Sequence, residues 1–155
     1  MNRRTILRGA AAAIGGGAAT AAGLSVATGG AAETALSLDV AGDSATIATD
    51  GSVTAVQLDM AVEWQYDLPE ETSPATVVIE VPAGVDADAL TVVASAESAQ
   101  LFVDASGSES FDVGLIAEGA LQASDVEPSG TGARETDVVV EARLRVESSG
   151  GTVLA

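Results

Sequence analysis

The chain lacks several of the residue types on which enzymes depend. Its 155 residues include no cysteine, no histidine and no lysine, and four are aromatic. Without cysteine or histidine there is no serine–histidine–aspartate or cysteine–histidine catalytic site, and no thiolate or imidazole metal site. Without lysine there is no Schiff base and no P-loop lysine for phosphate. Two carboxylates could hydrolyse a glycoside, but such sites need aromatic walls that this chain can hardly supply. We therefore expect the protein not to be an enzyme.

Basic residues are also scarce. Past residue 32 they are Arg134, Arg143 and Arg145, whereas all 23 acidic residues lie there, so residues 33–155 carry a net charge of −20. Such a sequence cannot form the basic patch that releases counterions from phosphates, and we exclude nucleic acid as a partner. The same charge disfavours binding of this region to an anionic lipid surface.

The acidic residues are spaced singly among apolar residues rather than in long runs, and the mean hydropathy is +0.34. This pattern favours a folded domain with an acidic surface over intrinsic disorder. Repulsion among about twenty like charges would strain the fold in dilute buffer, whereas 1 M salt, with a Debye length of about 3 Å, would screen it. An acidic chain without lysine resembles exported proteins of halophilic archaea, and we interpret the charge as an adaptation to molar salt.

The first eight residues contain a motif for protein export. Residues 2–8 read NRRTILR, in which Arg3 and Arg4 are followed after one residue by the apolar pair Ile6 and Leu7. This arrangement resembles the twin-arginine signal peptide, with Ile6 in the place of the more usual phenylalanine. The resemblance covers residues 1–32 and implies export of the folded chain by the twin-arginine translocase.

These observations divide the chain into two parts. Residues 1–32 are predicted to be the signal peptide, removed after a small-residue site near Ala27 or Ala32. If the segment is retained, its glycine- and alanine-rich stretch, residues 9–32, could act as an N-terminal membrane anchor. Residues 33–155 suffice for one domain with its own core. We expect that domain to be extracellular or at the cell surface.

A regular alternation of apolar and polar residues runs from Val56 to Leu68. Successive side chains of a strand point to opposite faces, so this segment is predicted to be a strand with one apolar face. The residues of that core face are Val56, Leu58, Met60, Val62, Trp64, Tyr66 and Leu68. The segment is long for one strand, and we expect a bulge or bend near Ala61. Trp64 and Tyr66 share the apolar face, which predicts core packing rather than an exposed platform for sugars.

Shorter alternating segments recur through residues 33–155. They predict strands at 36–40, 45–49, 75–81, 90–94, 101–103, 111–117 and 138–146. Loops are expected at 69–74, 82–88, 104–110 and 124–133, and a tight hairpin turn at Asp50-Gly51. Arg143 and Arg145 share the outward face of the last long strand and could pair with acidic residues of a neighbour. The spacing is typical of an all-β fold, an antiparallel β-sandwich of about eight strands, immunoglobulin-like or, as the alternative, a jelly roll.

Carboxylates in the predicted loops are the candidates for a metal site. Asp86 and Asp88 lie two residues apart in one loop, and Asp104 and Glu109 flank a four-residue stretch in another. Calcium prefers clustered carboxylate and carbonyl oxygens, so these residues could hold Ca²⁺. Neither pair has the spacing of an EF-hand, and a solvated acidic loop is the simpler interpretation of each.

Three functions remain open at this point. The one we favour is a non-catalytic exported or cell-envelope β-sandwich of a halophile that acts as a structural or interaction module. The second is a calcium- or ligand-binding module that uses its acidic loops. The third is a surface filament subunit that exchanges strands, because the extended segment 33–50 could add to a sheet edge. The expected partners are an envelope protein or a second copy of the chain.

Overall fold

The computed structural model shows two packed antiparallel β-sheets. The backbone is described for residues 5–13, 23–29, 32–127 and 136–155, and the side chains for residues 32–40, 44–127 and 136–155. The elements are β1 (Thr5–Ala13), β2 (Gly23–Gly29), β3 (Ala32–Ile47), β4 (Val53–Asp67), β5 (Pro74–Gly84), β6 (Thr91–Ala99), β7 (Asp104–Gly114), α1 (Ala123–Val126) and β8 (Asp137–Ser148). This architecture confirms the predicted all-β sandwich.

Within the described ranges, each sheet has four strands. Sheet A has the order β1-β8-β5-β6, and sheet B has the order β2-β3-β4-β7. Strands β3 to β8 have the neighbour order of an immunoglobulin-type sandwich, because β3-β4-β7 corresponds to its strands A-B-E and β8-β5-β6 to its strands F-C-C′. The observed order therefore favours the immunoglobulin-like topology over the jelly roll. β1 pairs with β8 on the side where the last strand of that fold would lie.

The core lies between the sheets, and β4 and β8 contribute more buried residues to it than any other strands. The seven core-face residues from Val56 to Leu68 are all buried, with at most 6% of any residue exposed. The intervening polar residues are exposed, namely Gln57, Asp59, Glu63, Gln65 and Asp67. The inward residues of β8 are no more than 1% exposed, namely Val138, Val140, Ala142, Leu144 and Val146. The alternation of two strands thus places one apolar face from each sheet in the core.

β3 and β4 are joined by the turn predicted at Asp50-Gly51. Gly51 has a φ of 88°, a left-handed conformation that glycine adopts without strain. The Asp50 carboxylate accepts hydrogen bonds from the Ser52 hydroxyl at 2.6 Å and from the Ser52 backbone N–H at 3.0 Å. These bonds favour the charged carboxylate and hold the pKa of Asp50 below its ordinary value.

The bend expected near Ala61 lies in the partner strand instead. β4 pairs with β7 without interruption from Gln57 to Asp67, whereas the register of β3 against β4 shifts between Val40 and Gly42. The extra residue of this β-bulge therefore belongs to β3. β3 is also one strand of 16 residues rather than the two predicted at 36–40 and 45–49, because pairing with the long β4 continues past the bulge.

Three other segment assignments are corrected by the structure. The predicted loop at 104–110 belongs to β7, whose backbone pairs with β4 even though its residues are polar or small. The predicted strand at 101–103 is instead the connection before β7, in which Leu101 and Phe102 are 87% and 69% exposed. The segment predicted as a loop at 124–133 begins instead within the four-residue helix α1. Residues 128–133 of that segment lie outside the described part of the chain.

Candidate interaction surfaces

The outer face of sheet A carries two arginines in contact with three glutamates. Arg143 and Arg145 point outward from β8, as the alternation of that strand predicts. Arg143 Nη2 lies 3.1 Å from Glu141 Oε2, and Arg145 Nη1 lies 3.7 Å from Glu80 Oε1 on the neighbouring β5. Arg145 Nε also donates a hydrogen bond to the Glu147 carboxylate. These five residues form two neighbouring groups of ion pairs, one around Arg143 and one around Arg145, which together we call the paired face.

The paired face is partly removed from solvent. Glu141 is 2% exposed, and the side chains of Arg143 and Arg145 are 26% and 25% exposed. Ion pairs that are partly shielded from water interact more strongly than fully exposed pairs, which contribute little. Arg143 Nε is buried and has no hydrogen-bond acceptor among the described residues, a feature that costs free energy. The paired face therefore combines favourable pairs with one unsatisfied donor.

The outer face of sheet B has the opposite character. Among the side chains that the structure describes on β3, β4 and β7, the exposed acidic ones are Glu33, Asp39, Asp59, Glu63, Asp67, Asp104 and Asp112, which we call the acidic face. Asp67 lies directly opposite both Glu33 and Asp104 on its two neighbouring strands, and Asp59 lies opposite Asp112. Like charges in directly opposite positions destabilise a sheet. The described parts of these three strands contain no basic residue that could offset this repulsion.

The residues considered for calcium do not come together. Asp86 and Asp88 are exposed in the β5–β6 connection, where the Asp88 backbone N–H donates to the Asp86 carboxylate at 2.9 Å. Asp104 and Glu109 lie on β7 rather than in a loop, and being five residues apart they point to opposite faces of the sheet. Within the described ranges, no group of three or more acidic side chains could hold a metal ion. Calcium binding by these residues stays a prediction from the sequence.

A shallow depression lies over the centre of the acidic face. Its volume is about 430 Å³, and its polar lining residues are Ser37, Glu63, Gln65, Ser106 and Ser108. Trp64 lies beneath it, 6% exposed, and its ring is stacked on Tyr66 with 6.1 Å between the ring centroids. The aromatic pair therefore belongs to the core and presents no exposed stacking surface to a sugar.

Two features of these surfaces could not be predicted from the sequence. The alternation of β8 places Glu141 on an outward face, but its burial depends on what lies around β8 and not on the local pattern. Leu101 and Phe102 are exposed because strand β6 ends at Ala99, before them. Two neighbouring apolar residues in a sequence do not indicate that a strand has already ended. The Phe102 carbonyl accepts a hydrogen bond from the Tyr66 hydroxyl at 2.9 Å, which fixes this connection against the core.

The fold and its two charged faces define an acidic all-β sandwich. No protein-family model matches the chain, no curated protein matches it, and no solved structure matches it. In the part of the chain that the structure describes, no helix is long and apolar enough to cross a membrane. A functional proposal therefore depends on the chain's own residues.

Proposed function

We propose that the chain is an exported, non-catalytic β-sandwich of a halophile, located at the cell surface or outside the cell, that acts as a structural or interaction module. The observation that carries this proposal is the acidic face of sheet B. Opposed carboxylates such as Asp59 and Asp112 repel each other across the strands. Molar salt reduces this repulsion, because the Debye length falls to about 3 Å at 1 M.

The N-terminal motif supports the exported location. Arg3 and Arg4 followed by Ile6 and Leu7 have the arrangement of a twin-arginine signal, and an apolar stretch rich in small residues follows. That route carries folded proteins, and a domain without cysteine needs no oxidation after export to complete its fold. Export and the acidic surface together favour a domain that works in a saline medium.

The residue types of the chain support a role in interaction rather than catalysis. Histidine, the commonest general base, is absent from the sequence, and so are the nucleophiles cysteine and lysine. The surface instead offers the paired face on sheet A, the acidic face on sheet B, and the exposed Leu101 and Phe102. Such surfaces suit contacts with other envelope components or with a second copy of the chain.

Export is tested by changing Arg3 and Arg4 together to lysine in the full chain, produced in an extremely halophilic host. Lysine keeps the positive charge but lacks the planar guanidinium group that the motif requires. We expect the unchanged chain at the cell surface or in the medium, and the double variant inside the cell. Arg8→Lys lies outside the arginine pair and is the matched control, which should be exported. Equal export of all three chains would contradict the proposal.

A further inference from the structure

β8 is an internal strand of the full chain but becomes an edge strand if residues 1–32 are removed. β1 consists of Thr5–Ala13 and pairs with β8 on the side away from β5. Its register covers β8 from Asp137 to Leu144. This inference rests on the proposed function, because the export signal predicts the removal of residues 1–32. That removal leaves the backbone groups of this side of β8 without β1.

The C-terminal residues cover the other end of the same strand. The Leu154 N–H donates to the Val146 carbonyl at 2.7 Å, and the Val146 N–H donates to the Ala155 carbonyl at 2.9 Å. Among the described residues, Val146 is the residue of β8 nearest its start that the C-terminal segment contacts through these backbone hydrogen bonds. The part of β8 that is open after processing is therefore residues 137–145, which we call the open edge.

The open edge differs in its inward residues from the two edge strands on the far side of the sandwich. β7 carries Gly107 and the inward-facing Glu109, and the inward positions of β6 are occupied by small residues such as Ala94 and Ala96. An inward charge and weak packing discourage further strand addition. The open edge has valine, leucine and alanine inward and contains neither glycine nor proline. Its composition is that of a strand with a neighbour on both sides.

The open edge is complementary to itself in the antiparallel direction. When two copies pair about Ala142, Glu141 of each copy lies opposite Arg143 of the other, and Val140 lies opposite Leu144. This register keeps inward residues opposite inward residues, which the pleat of a sheet requires. Pairing about Glu141 would oppose two glutamates, and pairing about Arg143 would oppose two arginines, so both neighbouring registers are disfavoured.

We propose that the processed chain forms a two-fold symmetric dimer by antiparallel pairing of the open edges, centred on Ala142. Each sheet A then continues into the other, with the strand order β6-β5-β8 followed by β8-β5-β6 of the second copy. The symmetry is closed, because the same residues of both copies form the contact. The second copy occupies the place that β1 holds in the full chain.

The pairing is tested with a single cysteine at the two-fold axis, since the chain has none of its own. The full-length gene with Ala142→Cys is expressed in a halophilic host, and the exported product is treated with a thiol oxidant. Opposite Cα atoms in an antiparallel pair are about 4.5–5.5 Å apart, within the range that a disulfide spans. We expect a covalent dimer. Ala94→Cys, which replaces a small inward residue on the far edge strand β6, is the matched control and should stay monomeric under the same oxidation.

Intact mass and light scattering of the unchanged product separate this proposal from the proposed function. A product that starts near residue 28 or 33 and has twice the monomer mass supports the dimer. A processed product that is monomeric overturns the dimer alone. A product that retains residues 1–32 overturns the processing and the dimer together. A polymer larger than a dimer also overturns the closed pairing and favours strand exchange along a filament.

A charge exchange tests the register without a new covalent bond. In the symmetric contact, Arg143→Glu places a glutamate opposite Glu141 of the other copy at two positions. We expect this repulsion to raise the dimer dissociation constant about tenfold at low salt. Combining Arg143→Glu with Glu141→Arg restores opposite charges at both positions and should recover most of the affinity. Circular dichroism of both variants establishes that the sandwich is intact. If the combined variant is as weak as the single one while folded, the register centred on Ala142 is wrong.

Discussion

The two sheets of the sandwich carry their surface charge differently. On sheet A, Arg143 and Arg145 contact three glutamates, so attraction acts between near neighbours. On sheet B, seven carboxylates among the described side chains face solvent, and no basic residue lies on the described parts of β3, β4 and β7. Two sets of these carboxylates lie directly opposite one another. Sheet A therefore gains stability from both of its faces, whereas sheet B depends on its inner face.

The difference implies opposite responses to salt. Screening weakens the attraction within the paired face, and it also relieves the repulsion within the acidic face. The net charge of residues 33–155 is strongly negative because 23 acidic residues stand against three arginines, so repulsion is the larger contribution. Salt should therefore stabilise this domain by relieving repulsion on sheet B, even though it weakens the ion pairs on sheet A.

Stability should be most sensitive to a substitution on the inner face of sheet B. A Cβ atom at Gly107 would lie 2.5 Å from Trp64 Cζ2 and 2.8 Å from Trp64 Cε2, closer than carbon atoms approach without displacement. Trp64 is held by its stacking on Tyr66 and by the core around it. We expect Gly107→Ala to lower the free energy of unfolding by about 1–3 kcal/mol, measured by denaturant titration in molar NaCl.

Gly114→Ala is the matched control, because Gly114 lies on the same strand β7. Its added Cβ would come no closer than 3.5 Å to another atom, the Cβ of Ala117, which is ordinary van der Waals contact. We expect a change within about 0.5 kcal/mol. If both variants lost the same free energy of unfolding, the contact with Trp64 would not be the cause of the loss at Gly107.

A smaller effect is expected at Tyr66, which joins the inner face of sheet B to the loop before β7. Its hydroxyl donates to the Phe102 carbonyl at 2.9 Å. Burial raises the pKa of Tyr66, and the nearby Asp104 carboxylate raises it further. We expect Tyr66→Phe to lose about 1 kcal/mol near pH 7, because the carbonyl loses its hydrogen bond.

The pH dependence of stability provides an independent test of the role of Tyr66. Because its pKa is higher in the folded state, Tyr66 contributes stability that is present below pH ~10, its unfolded value, and is lost as the pH rises through the folded value. The sequence has one tyrosine and neither lysine nor cysteine, so no other side chain titrates near pH 10. Thermal unfolding of the unchanged chain should therefore shift downward above pH ~10, and Tyr66→Phe should remove that shift. A shift of equal size in the variant would contradict this assignment.

The sequence predicts those parts of the fold that depend on local alternation. The core face of β4 follows from period two, and the outward position of Arg143 follows from the same rule on β8. The bulge could not be placed in the same way, because Ala61 and Ala41 belong to paired strands and either strand could carry the extra residue. The first part of β7 could not be predicted either, because its serine, glycine and acidic residues form backbone hydrogen bonds without an alternation of apolar side chains.

The sequence likewise predicts only part of the arrangement of charge on the two outer faces. That the arginines of β8 could pair with acids on a neighbouring strand is a sequence expectation, but the identity of Glu80 as a partner requires the register of β5 against β8. The opposition of Asp59 and Asp112 likewise depends on which strand lies beside β4. Residues 53 positions apart in the chain leave no trace of such a contact in a single sequence.

The smallest expected effect compares the two outer faces directly with two variants that each remove one negative charge. Asp59→Asn relieves repulsion with Asp112, and we expect it to stabilise the domain by about 0.5 kcal/mol at low salt. Glu80→Gln instead takes a partner from Arg145, and we expect a loss of about 0.5 kcal/mol under the same conditions. Both differences should shrink in molar NaCl, because the charges concerned are then screened. Denaturant titrations at both salt concentrations decide the matter: if the two variants change stability with the same sign at low salt, total charge rather than its arrangement on the two faces determines the response.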